Sequence, residues 1–483
     1  MTGQSSEERR LSSAELALVR HGLQHPGRSV ADESTLRYAF SLARLSLQAT
    51  PHVVRALAEF RRAALGTAHA LFGDAIDSPR TPDAELLRAA AARLWRITLG
   101  ARDDTGDRQL WDTAARKRQL LLALGGGGGV GHVYLGCFQI LEEWGLRPEL
   151  IAGSSCGAVL GLFRAQRPSY QSDDIRMVLE SLTHKKLFRV FQMRSQYALP
   201  GPLRLYLRSA LLPVLRRLRR EGDHEEHLSR VSQDDRSITF ADLAIPLVVV
   251  VAGVRKGMLP RPPKEYERLL DPRSFFPPTP RKLQRRVQDL LSVLGEFIRQ
   301  PNRLDAVYLG ADSRTRGFDV VDAVGFSCSL PGFIHYDVLR EDPLAHRRIQ
   351  RLLEERELGW LSDGGLVENC PALAARTAYD ALPVRGPRNG FVLALDAFSP
   401  KLTHALWIPI QRLAQETVRR VLSEANLYVP FPRALSPLSI LPTKEQIARA
   451  VMIGRAELAP HMPFLAKVLT PLPALEASRP AAA

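Results

Sequence analysis

The sequence predicts an α/β protein with a mainly parallel sheet, and three observations carry that expectation. Short apolar runs bounded by glycine, such as Leu121 to Leu124, read as strands buried on both faces. Between them lie stretches with apolar residues at helical spacing, among them Val133, Leu135, Phe138, Ile140, Leu141 and Trp144. Glycine clusters stand where those strands end, at Gly125 to Gly129 and again on both sides of Ser155.

From the N-terminus, residues 1–115 read as a helical region: Ala14 to His21, Ser34 to Gln48, Val53 to Phe72 and Ala84 to Leu99. Pro26, Pro51, Pro79 and Pro82 mark its breaks, and a four-helix packing unit is the simplest reading. The charged linker Ala101 to Asp107 precedes the first strand, Leu121 to Leu124. In the following run, Gly125 to Gly129 with Val130 and Gly131, the lack of Cβ atoms allows a tight turn whose N–H groups face a ligand. A helix from His132 ends at Gly145 and Pro148, and the strand Leu150 to Ala152 leads into Gly153, Ser154, Ser155, Cys156 and Gly157. That pentapeptide fits GxSxG, a strand-to-helix elbow that exposes a nucleophile, and Ser155 alone sits between both glycines.

Pro202 to Arg220 reads as a basic amphipathic helix bent at Pro213, carrying Arg204, Arg208, Arg216, Arg217, Arg219 and Arg220 without an acidic residue. It suits either an anionic bilayer surface or the solvated face of a core helix. Glu221 to Asp235 reads as a polar loop. An insertion over about 256–303 separates a strand ending near Val254 from the strand Ala306 to Leu309. It is Pro-rich up to Pro280, then basic and amphipathic from Lys282 to Ile298, and it serves either as a cap or as packing ornament. Asp363, Gly364 and Gly365 follow Trp360 and Leu361. A helix from Pro371 to Ala381 and a strand from Gly390 to Asp396 complete an expected catalytic domain over residues 116–400. Residues 401–483 form a Pro-rich tail with helices Leu406 to Leu422 and Lys444 to Ala456.

The glycine run also satisfies GxGxxG at Gly126, Gly128 and Gly131. A dinucleotide fold would place an acidic residue at the end of the second strand, where this chain has the serine elbow. No Lys followed by Ser or Thr closes the run, which excludes a Walker A loop. Backbone donors aimed at a developing oxyanion explain these glycines better, because acyl transfer needs donors where negative charge appears.

In this order, the pieces resemble the patatin-like phospholipases, a family of serine lipid acyl hydrolases. The resemblance rests on the glycine loop, on GxSxG one helix and strand later, and on the distant Asp363-Gly364-Gly365. FADLAIPLVVVVAGVRKG (Phe240 to Gly257), AVGFSCSLPGF (Ala323 to Phe333) and the run Leu366 to Pro371 add to it, so that it covers roughly residues 117–398. It implies a three-layer core, a nucleophile at Ser155 with Asp363 as its base, and an oxyanion hole drawn from Gly126, Gly127, Gly128, Gly129 and Gly131. Gly153, Gly157, Gly364 and Gly365 are its motif glycines. Val130 stands where the family usually carries Arg or Lys.

Two other readings stay open at this point. One is an α/β-hydrolase triad of Ser155, Asp363 and either His404 or His461, with His132 as a further candidate better suited to packing at a helix start. The other is an inert scaffold binding membrane or nucleic acid, for which the loss of charge at Val130 is the sole feature.

The 483 residues suffice for a large core with appended parts. The formal charge of +15 favours anionic partners, and without a nucleic-acid-binding signature it points to anionic membrane rather than nucleic acid. There is neither a spanning apolar stretch nor an apolar leader, so a cytoplasmic protein with peripheral membrane contact is expected. Cys137, Cys156, Cys328 and Cys370 lack metal-ligand spacing and read as buried thiols; no metal or cofactor is called for.

Overall fold

The computed structural model describes residues 5–26, 30–73, 82–105, 107–172, 184–190, 195–199, 201, 203–222, 237–259, 262, 264–265, 280–383, 386–399, 408–437 and 439–480. Contacts divide the chain into two compact units. One comprises Met1–Leu120, Leu382–Phe391 and Pro460–Ala483, and the other Leu121–Ala381 with Val392–Ala459. The segment 401–483 is thus divided between the two.

The first unit is helical. Helices Ser6–Gln24, Val30–Ser46, Ala58–Phe72 and Ala84–Asp103 bury Leu11, Leu18, Leu36, Phe40, Leu71 and Leu94 in one core. The first starts with a capping box: Ser5 Oγ accepts the Glu8 N–H at 3.2 Å and the Glu8 carboxylate accepts the Ser5 N–H at 2.8 Å. The expected helix Val53 to Phe72 is interrupted at Leu57, and the first part of the expected charged linker, Ala101 to Asp103, continues the preceding helix. A further helix, Arg108–Arg116, stands where no element was expected. Asn389, returning from the far end of the chain, donates to Ser41 Oγ at 3.0 Å and Ala114 O at 2.7 Å, and Arg44 donates to its side-chain oxygen. This buried network ties distant segments of the unit together.

The second unit carries the sheet. In chain order the strands are β1 (Gln119–Leu124), β2 (Pro148–Ser154), β3 (Phe188–Val190), β4 (Leu203–Leu205), β5 (Leu247–Arg255), β6 (Leu304–Leu309), β7 (Ile334–Tyr336), β8 (Leu358–Asp363), β9 (Gly390–Asp396) and β10 (Leu427–Pro430). The main sheet has the order β10-β9-β1-β2-β5-β6, with β8 also paired to β5, and β3-β4-β7 form a small second sheet. β9 and β10 are parallel, as are β2 and β5, whereas β6 and β8 run antiparallel to β5. The α/β class with a mainly parallel central sheet is as the sequence predicts.

β5 is fully buried up to Val254 and organises the site. β6 pairs along one of its edges, so β2 and β8 share the other. β2 ends with Ser154 opposite Val250, and β8, running the other way, ends with Asp363 opposite Val251. The C-terminal ends of the two strands therefore meet head to head at adjacent residues of β5.

The expected helix Pro202 to Arg220 begins only at Leu207, because Leu203–Leu205 are drawn into β4 by pairing with β3 and β7. Its apolar face, with Leu207, Leu211, Leu215 and Leu218, is buried against the protein; Arg208 pairs with Asp319, and Arg204 Nε donates to His335 Nε2 at 3.1 Å. The expected loop Glu221 to Asp235 and the Pro-rich half of the insertion fall largely outside the described residues. The rest of the insertion is the helix Pro280–Arg299, whose Val293, Leu294, Phe297 and Ile298 pack with Leu366 and Leu413.

Candidate active site

Ser155 sits on the turn between β2 and the helix Cys156–Arg164, with φ 51° and ψ −123°. Positive φ is costly for a side chain with a Cβ, by about 1–3 kcal/mol, and the surroundings must hold it in place. They do so from two sides. The Ser155 N–H donates to Ser327 Oγ at 2.9 Å, and that hydroxyl donates to Val250 O at 2.6 Å, which hangs the elbow on β5. Gly157 lets the new helix close on β1: a Cβ there would stand 2.1 Å from Leu124 O. Ser154, by contrast, is fully buried and points away from the cavities described below.

Asp363 arrives from β8. Its N–H donates to Ser329 O at 2.8 Å, its Oδ1 accepts the Gly365 N–H at 2.8 Å, and its carboxylate lines one cavity together with Ser155. Gly364 packs on Val250, where a Cβ would come within 2.2 Å of the carbonyl oxygen. Burial pushes the Asp363 carboxyl up to about 6, and the hydrogen bond from Gly365 and the nearby Ser155 hydroxyl pull against that rise. The sequence thus brings together the two residues singled out for catalysis.

The glycine loop divides its roles. Gly127 and Gly128 have φ of 128° and 65° and line the cavity at Ser155. Gly126 and Gly129 were expected to share the oxyanion hole, but they spend their N–H groups on Asn369 O and Pro437 O, both at 2.9 Å. Gly131 packs against Cys156 Sγ, which a Cβ there would meet at 2.7 Å. Val130 is fully buried, so no charge stands beside the loop at that position.

Two cavities open at Ser155, of about 150 Å³ and about 140 Å³. The first is lined by Asp363 and Asn369 together with Leu294 and Ile298 of the insertion helix. No histidine lines it among the described residues. His132 borders the second cavity, where burial lowers its pKa and its Nδ1 lies 2.8 Å from Gly129 O, the helix-start role expected of it. His461 belongs to the helical unit, and His404 lies outside the described residues. Cys328 lines both cavities together with Ser155, with its pKa raised by burial, so this thiol belongs to the site rather than to the general core. Among the described residues no group of His, Cys, Asp and Glu is arranged to hold a metal ion.

Sequence reasoning missed two residues. Ser327 supports the elbow, and the signal available was its place in the small-residue run before Leu330-Pro331-Gly332. Asn369 lines the first cavity with its Nδ2 buried and without a hydrogen-bond partner, and its signal was its place shortly after Asp363-Gly364-Gly365.

In comparisons with known proteins, the family model described as Patatin-like phospholipase matches residues 122–376, more than half of the chain. No curated protein matches it.

Proposed function

The chain belongs to the patatin-like phospholipase family, whose general activity is lipid acyl hydrolysis, and from that premise we propose that it cleaves carboxylic esters of lipids, of phospholipid or lysophospholipid type, through a Ser155/Asp363 dyad. The observation that carries the dyad is the convergence, at one cavity, of Ser155 on its positive-φ elbow and the buried carboxylate of Asp363.

As Ser155 Oγ attacks the ester carbonyl carbon, its proton passes to Asp363, and the N–H groups of Gly127 and Gly128 receive the oxyanion. The C–O bond to the alkoxy group then breaks, and the leaving oxygen takes the proton from Asp363. Water attacks the resulting acyl-enzyme with Asp363 again as base, which releases the fatty acid and restores Ser155. A carboxylate of ordinary pKa is a poor base towards an alcohol; burial raises the basicity of Asp363 and keeps water from competing for it.

Peripheral contact with an anionic membrane belongs to the same reading, supported by the charge of +15. Among the described residues no helix is long and apolar enough to cross a membrane.

A fluorophosphonate probe tests the assignment. It should label the wild-type protein at Ser155 and fail to label Ser155→Ala; modification at Ser154, or at no serine, rejects it.

A further inference from the structure

An ester held for attack has its carbonyl carbon at Ser155 Oγ and its carbonyl oxygen in the glycine loop. Two substituents remain, the acyl chain and the alkoxy group, and they leave the carbonyl carbon in different directions. The structure offers two spaces for them. The cavities share Gly128, Ser155, Cys328, Ile334 and Ile440 and then diverge. One runs past Asp363 to Leu294, Ile298, Phe398 and Leu413. The other runs between Leu160, Phe163, Leu187, Leu205, Leu207 and Leu211, contributed by the elbow helix, by the short helix His184–Leu187, by β4 and by the helix Leu207–Gly222.

The two are similar in size, so the second is no minor side crevice. Their walls are mainly hydrocarbon. Among the described residues neither cavity is lined by Lys or Arg, and Asp363, whose Oδ1 already accepts the Gly365 N–H, is the sole carboxylate in either lining. Nothing there grips a phosphate or another charged group, and a small polar leaving group would strand one apolar cavity in contact with water.

Resting on the hydrolase reading above, we infer that the substrate is an ester with a long hydrocarbon chain on both sides of the scissile carbonyl, one in each cavity. Any charged headgroup then stays outside both. Hydrolysis adds the water hydroxyl to the acyl carbon and its proton to the alkoxy oxygen, so that both products leave as amphiphiles, a fatty acid and a long-chain alcohol or a lipid still carrying a chain.

Mixed micelles containing decyl decanoate, ethyl decanoate or decyl acetate vary one arm at a time. Burying about two methylene groups is worth roughly tenfold, so kcat/KM for decyl decanoate should exceed that for each single-chain ester by at least that factor. Leu207→Trp and, independently, Leu211→Phe narrow the second cavity. Each should collapse the ratio between decyl decanoate and the better single-chain ester towards one. Because the ratio is taken within one protein, partial misfolding leaves it unchanged. Equal turnover of the three esters by the wild type, or an unchanged ratio in both variants, overturns the two-chain assignment while the hydrolase reading stands. Turnover of no ester, together with no labelling of Ser155, defeats the hydrolase reading instead. The two-chain site is then judged by displacement of a fluorescent fatty acid from the Ser155→Ala protein, where didecyl ether should outcompete decyl ethyl ether tenfold and equal potency overturns it.

Discussion

Replacing Asp363 by Asn should move activity and stability in opposite directions. The amide keeps the size of the side chain and an oxygen for the Gly365 N–H, now 2.8 Å from Oδ1, but it puts a donor where the Ser155 proton must go. Hydrolysis should fall about 10⁴-fold or more, as when the base system of a serine hydrolase is disabled. Stability follows from the lifted pKa. In the unfolded chain the carboxyl ionises near 3.8, whereas in the folded protein it holds its proton until about 6. Between those values the folded state binds more protons than the unfolded one, so stability is lost as pH rises through the window and the cost is complete above it. That difference corresponds to about 3 kcal/mol. Asn cannot ionise, so Asp363→Asn should gain up to about 3 kcal/mol over the wild type at pH 7.5 and almost nothing at pH 3.5. Urea unfolding followed by circular dichroism at the two pH values measures the difference. The wild-type rate should also drop with falling pH below about 6, where the base becomes protonated. A variant that is no more stable than the wild type at pH 7.5, or that keeps a tenth of its activity, would refute the reasoning.

Three further outcomes are expected. Gly157→Ala should lose fluorophosphonate labelling and cost about 3 kcal/mol, since its Cβ would collide with Leu124 O; Gly66→Ala, with open space around it, should be neutral or stabilising by about 0.5–1 kcal/mol, and equal behaviour of the two would refute the steric account. Folded His132→Gln, His404→Ala and His461→Ala proteins should each keep more than a tenth of wild-type activity; one as inactive as Ser155→Ala would replace the dyad by a triad. Binding to lipid vesicles should rise with anionic lipid and weaken with salt, because exposed charges are screened beyond about 8 Å at physiological ionic strength; sedimentation with neutral vesicles at the same affinity would exclude an electrostatic contact.

The fold class and the positions of Ser155 and Asp363 on strand ends were legible in the sequence; the smaller elements around them were not. Strands buried on both faces leave near-continuous apolar runs, so β1 and β9 could be read from the chain. β10 could not, because it has four residues, ends in Pro430 and owes its existence to pairing with β9. β3, β4 and β7 have three residues each, too few for any period, and β4 cut short a helix that periodicity had extended through it. Local pattern placed Ser155 on its turn, but the small-residue run holding Ser327 did not reveal that its hydroxyl reaches the elbow from another element. The division of work within Gly126 to Gly131 was equally hidden, since which N–H groups stay available depends on where Asn369 and Pro437 come to lie.

On the proposed dyad, the head-to-head meeting of β2 and β8 on β5 also sets when lipid cleavage can begin. The two ends of the reacting pair are delivered by separate stretches of chain, and neither stretch can position its residue without the strand between them. A nascent chain that has made its serine elbow is still harmless, because the carboxylate has yet to be synthesised and docked. A slip of one residue between β8 and β5 would turn Asp363 to the opposite face of the sheet. On that proposal, lipid cleavage switches on only with correct closure of the sheet, and a misassembled molecule is disarmed by the same geometry that arms the native one.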